Sequence, residues 1–152
     1  MVSIDKAGIL DVEAIYNLIR KSAKKDEMLP RSLQSIYENL RAFWVCRNAA
    51  GKVIGCCALQ IVWKELAEVR SLVIDPRYKG KGLGRQLVEA ALTEARELGI
   101  KKVFTLTYVP EFFKRLKFRP VDKKKLPHKI WSDCIVCPHF PDCHEEALMI
   151  NI

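Results

Sequence analysis

Apolar side chains recur along this chain with two periods, one typical of helices and one typical of strands. Around residues 12–25 and 82–98 they lie three or four positions apart, which predicts two amphipathic helices. A third helical pattern follows Ser32. The apolar residues expected on the buried faces are Val12, Ile15, Leu18 and Ile19, then Leu33, Ile36, Tyr37 and Leu40, then Leu83, Leu87, Ala90, Ala91 and Leu98.

Polar residues, prolines and glycines mark where these helices begin and end. Asp11 and Ser32 are expected to cap the first two, because short polar side chains accept hydrogen bonds from the free N–H groups of a first turn. Gly99 is expected to end the third helix. Pro110 is expected to open a short fourth helix in "PEFFKRLKF".

The remaining apolar runs read as strands. They are "VSIDKA", "AFWVCRN", "KVIGCCALQIVW", "EVRSLVI", "KKVFTLTY" and "EALMINI", and the turn at residues 48–51 joins the second to the third. Antiparallel strands followed by a strand–helix–strand unit predict an α/β fold with a mixed, mostly antiparallel sheet and helices on both faces.

The length and composition predict one domain over residues 1–152, with a Cys-rich segment at 131–146. The opening residues lack the apolar core of a signal peptide, and the uncharged run 53–63 is too short to span a bilayer. We therefore expect a cytoplasmic protein that does not bind membranes.

The net charge is +8, and residues 77–129 contain most of the excess, with 15 Lys and Arg against 5 Asp and Glu. Such a region suits a polyanionic ligand, either a nucleotide cofactor or a nucleic acid, although a solvated basic surface would have the same composition.

The segment "DPRYKGKGLGRQ" has the features of a phosphate-binding loop. Gly80, Gly82 and Gly84 free the backbone to expose its N–H groups, and the following helix adds the positive end of its dipole. Four cations surround them: Arg77, Lys79, Lys81 and Arg85. The Walker pattern is absent and a dinucleotide fingerprint fits poorly. The alternative is a basic turn that enters a surface helix.

Arg77-x-x-Gly80-x-Gly82, followed by Leu83-Gly84 and preceded by "LVIDP", resembles the acetyl-CoA signature of the GNAT superfamily of N-acyltransferases. The resemblance implies the GNAT fold, with six to seven strands. It also implies that the loop amides bind the CoA pyrophosphate and that the preceding strand pairs with the pantetheine and polarises the thioester. The cofactor-binding residues that it implies are Leu72, Val73, Ile74, Arg77, Lys79, Gly80, Lys81, Gly82, Leu83, Gly84, Arg85, Phe112 and Phe113.

"TLTYVPEFFKRLKFRPVDKKKLP", with "EVRSLVIDP" and "LPRSL", resembles the acetyltransferase part of bacterial N-acetylglutamate synthases. This implies acetylation of the α-amino group of L-glutamate, at the head of arginine synthesis. The chain is then expected to be a short form without the amino-acid-kinase-like domain. Lys117 departs from the family, since many relatives have glycine there, and the Cys-rich tail is a further departure.

Transfer to an amine benefits from a base, and Glu68 matches the glutamate base of the histone-acetylating branch of the superfamily. The alternative is an exposed strand-edge carboxylate. Many members place a tyrosine acid where Phe113 stands, so Tyr108 is a candidate replacement; otherwise it is a packing aromatic.

A dicarboxylate substrate requires cations, and Arg31 and Arg70 are the candidates because arginine binds carboxylates bidentately. Strand alternation predicts that Glu68, Arg70 and Leu72 share one face. A structural pairing of Glu68 or Arg70 with other residues is the alternative.

The six cysteines divide into two groups. Cys46, Cys56 and Cys57 lie in strands and are expected to be small core residues. In the tail, Cys134, Cys137 and Cys143 have partial zinc-site spacing, with a histidine as fourth ligand; a redox-active disulfide and free thiols are the alternatives. The candidate histidines are His128, His139 and His144.

Other functions fit the same residues. The acceptor could be another amino acid, a small amine or a protein N-terminus, and the chain could instead be a regulatory module that senses CoA or metal. A homodimer is compatible with the sequence. Nucleic-acid binding is not expected, since no stacking aromatics are interleaved with the cations of the glycine loop.

Overall fold

A computed structural model describes residues 2–25, 28, 30–126 and 145–152. Within them seven strands form one sheet, in the order β1-β2-β3-β4-β5-β7-β6. The strands are β1 Ser3–Lys6, β2 Phe43–Arg47, β3 Val53–Trp63, β4 Leu66–Ile74, β5 Lys102–Thr107, β6 Arg119–Pro120 and β7 Glu146–Asn151. The helices are α1 Val12–Lys24, α2 Leu33–Glu38, α3 Leu83–Glu97 and α4 Pro110–Arg115. The mixed α/β prediction is confirmed, and only the two-residue β6 lacked a pattern in the sequence.

Helices cover both faces of this sheet. On one face α3 and α4 pack on the sheet through Leu87, Ala91 and Phe113. On the other face α1 and α2 pack through Val12, Ile15, Ile19 and Ile36. Consecutive β3 residues Cys56 and Cys57 point into opposite cores, as strand alternation requires.

The predicted helical faces are correct in α1, but the predictions for four residues elsewhere need correction. Leu33 and Tyr37 of α2 are exposed, and Leu98 lies beyond the last residue of α3 with more than half of its surface in solvent. Helix α2 ends at Glu38, so Leu40 is buried from a 3-10 turn instead. A pattern of only two turns cannot fix which side of a helix meets the sheet.

The cap predictions hold for Ser32 and fail for Asp11. Ser32 accepts a hydrogen bond from the backbone N–H of Ser35 at 3.0 Å. Asp11 makes no side-chain cap on α1; its carboxylate accepts from the Gly8 N–H at 2.7 Å and pairs with both terminal nitrogens of Arg47 at 2.8 Å. A 3-10 turn precedes α1, and this turn brings the carboxylate back toward β2.

Strand β4 is interrupted by a β-bulge at Ser71, whose φ is 55°. In the pair with β3, Arg70 lies opposite Ala58 and Val73 lies opposite Cys56. Two residues of β4 therefore lie between these pairs against one residue of β3, which is the additional residue of a bulge. The bulge reverses the alternation: Val69 and Leu72 both pack on the α3 side, and Val73 packs on the α1 side. The expectation that Leu72 shares a face with Glu68 and Arg70 is therefore wrong.

Strands β4 and β5 form the parallel pair of the sheet, and their ladder runs from Leu66 and Lys102 to Glu68 and Phe104. One residue later, the Thr105 hydroxyl donates a hydrogen bond to the Val69 carbonyl at 2.9 Å. The bulge follows immediately on β4. The two strands thus stop pairing at the level where β4 turns toward the glycine loop.

Candidate active site

The glycine loop, residues 79–85, joins β4 to α3. Gly80 and Gly82 have φ values of 80° and 78°, a left-handed conformation that favours glycine, and Gly82 is the N-cap residue of α3. Gly84 has an ordinary backbone conformation but is closely packed, since a Cβ there would lie 3.2 Å from the Phe112 ring and that ring would have to shift. The first turn of α3 therefore lies close to the Phe112 ring of α4.

The cations of this loop, and Arg77 in the 3-10 turn before it, are exposed and contact neighbouring side chains. Arg77 forms an ion pair with Asp75 at 2.9 Å, and the guanidinium holds the pKa of the Asp75 carboxyl at about 2. Arg85 pairs with Glu89 one helical turn along at 2.8 Å. The Lys81 ammonium lies 5.4 Å from the centroid of the Tyr78 ring. The charge therefore remains at the surface, where an anion could reach it.

Tyr78 connects the loop to a distant turn of the sheet. Its hydroxyl accepts a hydrogen bond from the Asn48 amide at 3.1 Å. The Asn48 side chain is itself fixed, because its oxygen accepts from the N–H groups of Ala50 and Lys52 at 3.0 Å. The β2–β3 turn thus supports the approach to the glycine loop, a contact that the sequence did not predict.

The aromatic residues after β5 occupy different environments. Phe113 is 3% exposed and packs edge-on against Phe112 and Phe118, so it is a core residue. Phe112 is partly exposed beside Gly84. Tyr108 lies half-buried at the end of β5, where the strand passes into α4. Lys117 has a φ of 77°, a left-handed conformation that favours glycine, so the lysine at this position is in a strained backbone conformation.

A polar cavity of about 430 Å³ opens between α2 and strands β3 and β4. Arg31, Glu68 and Arg70 all line it, although 37 positions separate the first two in the sequence. Its volume is within the usual range for small-molecule sites. The tertiary structure therefore brings the proposed base and both proposed carboxylate-binding residues to one site. Sequence reasoning missed the neutral polar residues of the same wall, namely Ser35, Asn39 and Gln60.

Glu68 is 8% exposed, which contradicts the reading of this residue as an exposed strand-edge carboxylate. A guanidinium nitrogen of Arg70 lies 3.7 Å from its carboxylate. Buried charges are costly unless they are paired or hydrogen-bonded, and the two residues face the same cavity. Of the neutral residues, Gln60 alone had a signal by which it could have been suspected, because it lies directly opposite Glu68 in the antiparallel pair of β3 and β4.

Cys46, Cys56 and Cys57 are buried core residues, as predicted. Burial raises the pKa of all three thiols, that of Cys57 to about 12, so they are protonated near neutral pH. Such thiols are poor nucleophiles.

The zinc prediction on Cys134, Cys137 and Cys143 lies outside the described residues and stays a prediction. Among residues 2–25, 28, 30–126 and 145–152, no group of three or more His, Cys, Asp or Glu side chains could hold a metal. None of the helices in these same ranges is long and apolar enough to cross a membrane.

Comparison with known proteins identifies the family. The model of the acetyltransferase (GNAT) family matches residues 10–118. An uncharacterised N-acetyltransferase of Chlorobaculum tepidum is 39% identical over 146 residues, which is 96% of this chain and 94% of that protein. An amino-acid acetyltransferase of Mycobacterium tuberculosis is 34% identical over 132 residues, 86% of this chain and 75% of that protein.

Solved structures share the fold. Rv2747 from Mycobacterium tuberculosis, in complex with CoA and NLQ, superposes with a TM-score of 0.87 at 28% identity over 99% of both chains. The N-acetylglutamate synthase of Neisseria gonorrhoeae, complexed with CoA and N-acetyl-glutamate, gives 0.89 at 24% identity, covering 99% of this chain and 35% of that one. With the family match, this shows that the chain belongs to the GNAT family of acetyltransferases and is an acyltransferase enzyme.

Proposed function

We propose that this protein transfers an acetyl group from acetyl-CoA to the α-amino group of L-glutamate. The observation that carries the proposal is the polar cavity, which combines one buried carboxylate, Glu68, with two arginines, Arg31 and Arg70. A role at the head of arginine synthesis and a cytoplasmic location belong to the same proposal.

The CoA moiety is proposed to lie along the C-terminal half of β4 and the glycine loop. The left-handed Gly80 and Gly82 and the first turn of α3 supply N–H groups for the pyrophosphate, and the exposed cations add charge. Residues 72–74 follow the end of the β4–β5 ladder, so their backbone groups are suited to the pantetheine. Structures of similar fold that were solved in complex with CoA support CoA as the cosubstrate.

The reaction requires one new bond and one broken bond. Acetyl-CoA supplies a thioester whose carbonyl carbon the neutral amine nitrogen attacks; the C–N bond forms and the C–S bond breaks. Glu68 accepts the proton that the ammonium group must lose, directly or through one water. Tyr108, at the end of β5, is the proposed donor of a proton to the leaving sulfur, and the proton that the nitrogen loses as the amide forms restores it through solvent. Glu68 releases its proton to solvent.

The acceptor carboxylates are proposed to bind Arg31 and Arg70. Arg70 lies 3.7 Å from Glu68, so a carboxylate held by Arg70 places the adjacent α-amine near the base. Arg31 lies on the α2 side of the same cavity and is the proposed contact of the second carboxylate. Two guanidinium groups and one carboxylate suit a dianionic acceptor better than a cationic one.

A second acceptor class is favoured by the neutral part of the cavity. Ser35, Asn39 and Gln60 can hydrogen-bond an uncharged polar end, so an amino acid with one carboxylate and an amide side chain would also fit. The relative solved with CoA and NLQ shows that the fold accommodates a second ligand beside CoA.

The test is a panel of amino acids with acetyl-CoA, read as released thiol and as acetylated product. L-glutamate is expected to give the highest kcat/KM, followed by L-glutamine, with lysine and other cationic amines far lower. Equal turnover of neutral and dicarboxylic amino acids would overturn the glutamate assignment. Thiol release without an acetylated amine would instead indicate a regulatory module with residual hydrolysis.

The role of Glu68 is tested with Glu68→Gln, which keeps the size and removes the base. Because general bases contribute about 10²- to 10⁴-fold, kcat should fall by about that factor at pH 7. Partial recovery at higher pH, where more of the amine is already neutral, is also expected. Unchanged kcat would exclude Glu68 as the base. Glu65→Gln, in the exposed turn before β4, is the matched control.

A further inference from the structure

Ser71 has a backbone conformation that serine rarely adopts. Its φ is 55°, and it lies within β4, away from any chain reversal. Among the described residues, only Lys117 is another non-glycine with positive φ. Such a conformation is unfavourable for a residue with a Cβ and persists only where the surroundings enforce it.

Two neighbouring elements hold Ser71 in place. From β3, the Cys56 thiol donates to the Ser71 carbonyl, with 3.4 Å between sulfur and oxygen. From the segment before α2, a terminal guanidinium nitrogen of Arg31 donates to the Ser71 hydroxyl at 3.3 Å. A glycine could make the first contact without strain, but only a side chain makes the second. The serine is therefore explained by its contact with Arg31.

Arg31 is fixed from two further directions. The Ser35 hydroxyl accepts from two of its nitrogens, at 3.3 Å and 3.0 Å. Its guanidinium carbon lies 5.2 Å from the centroid of the Phe43 ring. Arginine has many rotamers, so contacts that hold it before the substrate arrives reduce the entropy lost on binding.

We propose that Ser71 is a positioning residue that aligns the Arg31 guanidinium for the carboxylate of the acceptor. The inference rests on the proposed function, in which Arg31 binds that carboxylate. Ser71 also forms the bulge that redirects β4 between Arg70 and Leu72. Ser71 thus contacts Arg31 of the acceptor cavity and also shapes β4, the strand proposed to bind the acetyl donor.

The experiment is a double-mutant cycle between Ser71→Ala and Arg31→Ala, with KM for glutamate, KM for acetyl-CoA and kcat measured for each variant. The bond from Arg31 to Ser71 is long, at 3.3 Å, so a value at the low end for a hydrogen bond to a charged group applies, and Ser71→Ala should raise the KM for glutamate about tenfold. The KM for acetyl-CoA is expected to stay within about twofold. In the Arg31→Ala background, Ser71→Ala should leave the KM for glutamate unchanged, because the group that it positions is gone.

Ser71→Gly separates the hydroxyl from the backbone strain. Glycine tolerates a φ of 55°, so this variant folds even if alanine is not accepted, and the same rise in KM for glutamate is expected. Ser3→Ala, on exposed β1, is the matched control and should change none of the constants.

Each remaining outcome has a distinct meaning. A rise in KM for glutamate that is equally large with and without Arg31 overturns the positioning role, since Ser71 would then act independently. If Arg31→Ala raises this KM and both Ser71 variants leave it unchanged, the inference fails while the proposed function stands. If Arg31→Ala has no effect on this KM, the proposed carboxylate contact itself is wrong.

Discussion

The glycine loop is one contiguous segment, whereas the polar cavity takes its side chains from α2, its N-terminal approach, β3 and β4. In the loop, the local conformation at Gly80 and Gly82 determines the directions of the backbone N–H groups and the positions of the exposed cations. In the cavity, Arg31 meets Ser71 across 40 positions of sequence. A loop that binds through its backbone is sensitive to changes of φ, and an assembled cavity is sensitive to changes of side-chain chemistry.

The largest expected effect comes from a substitution that changes the backbone of the glycine loop and leaves the polar cavity unchanged. Gly82→Val forces a β-branched residue to a φ of 78°, so the loop must change shape; affinity for CoA should fall about 100-fold while glutamate contacts are kept. Titration calorimetry with CoA measures this affinity. Gly99→Val carries the same strain, at a φ of 85° beyond α3, and should leave CoA affinity intact. If both variants lose the same affinity for CoA, the cause is general destabilisation and not the shape of the glycine loop.

The second effect acts on the cavity alone. Replacing Arg70 by alanine removes a charged contact to the acceptor, so the KM for glutamate should rise about 10- to 100-fold with the KM for acetyl-CoA nearly constant. Steady-state kinetics with each substrate varied in turn gives both constants. Arg20→Ala, on the exposed face of α1, provides the control. A matching rise in the KM for acetyl-CoA would mean that the two sites are not independent.

A third variant should affect neither site. Asp11→Asn weakens the ion pair with Arg47 and is expected to lower the free energy of unfolding by about 1–3 kcal/mol. The hydrogen bond with Arg47 lowers the pKa of the Asp11 carboxyl below 3.8 in the folded state. The contribution of the ion pair to the free energy of unfolding is therefore complete above pH 3.8 and is lost as the pH falls through the folded-state pKa.

Urea unfolding of the wild type and of Asp11→Asn, at pH 7 and at successively lower pH, measures this pH dependence. The difference in unfolding free energy between wild type and variant should shrink below pH 3.8. A constant difference at all pH values would show that packing, and not charge, is responsible.

The smallest expected effect tests the support of the glycine loop. Tyr78→Phe removes the hydroxyl that accepts from Asn48 and keeps the ring beneath Lys81. Loss of one neutral hydrogen bond should weaken CoA binding about threefold. Tyr37→Phe, on exposed α2, is the control. If CoA affinity is unchanged, the β2–β3 turn does not contribute to the shape of the loop.

Most of the fold could be predicted from the sequence because local rules govern it. The helix at α3 and the turn after β2 follow from periodicity and glycine placement. The errors occurred where a residue distant in sequence supplies a stronger partner or where the local pattern is too short. Asp11 could have capped α1, but the charge of Arg47 on a neighbouring strand was the stronger partner. Leu33 and Tyr37 lie in a helix too short for its pattern to define one buried face.

The sequence by itself determined the α/β order of elements, the glycine loop and the identity of the charged residues, because these depend on neighbours within a few positions. The tertiary structure decided which residues meet. It buried Glu68 beside Arg70, brought Arg31 to the same cavity, and reversed the alternation of β4 at Ser71. A β-bulge adds one residue without any change in composition or period, so the face that Leu72 occupies becomes visible only when β4 is paired with β3.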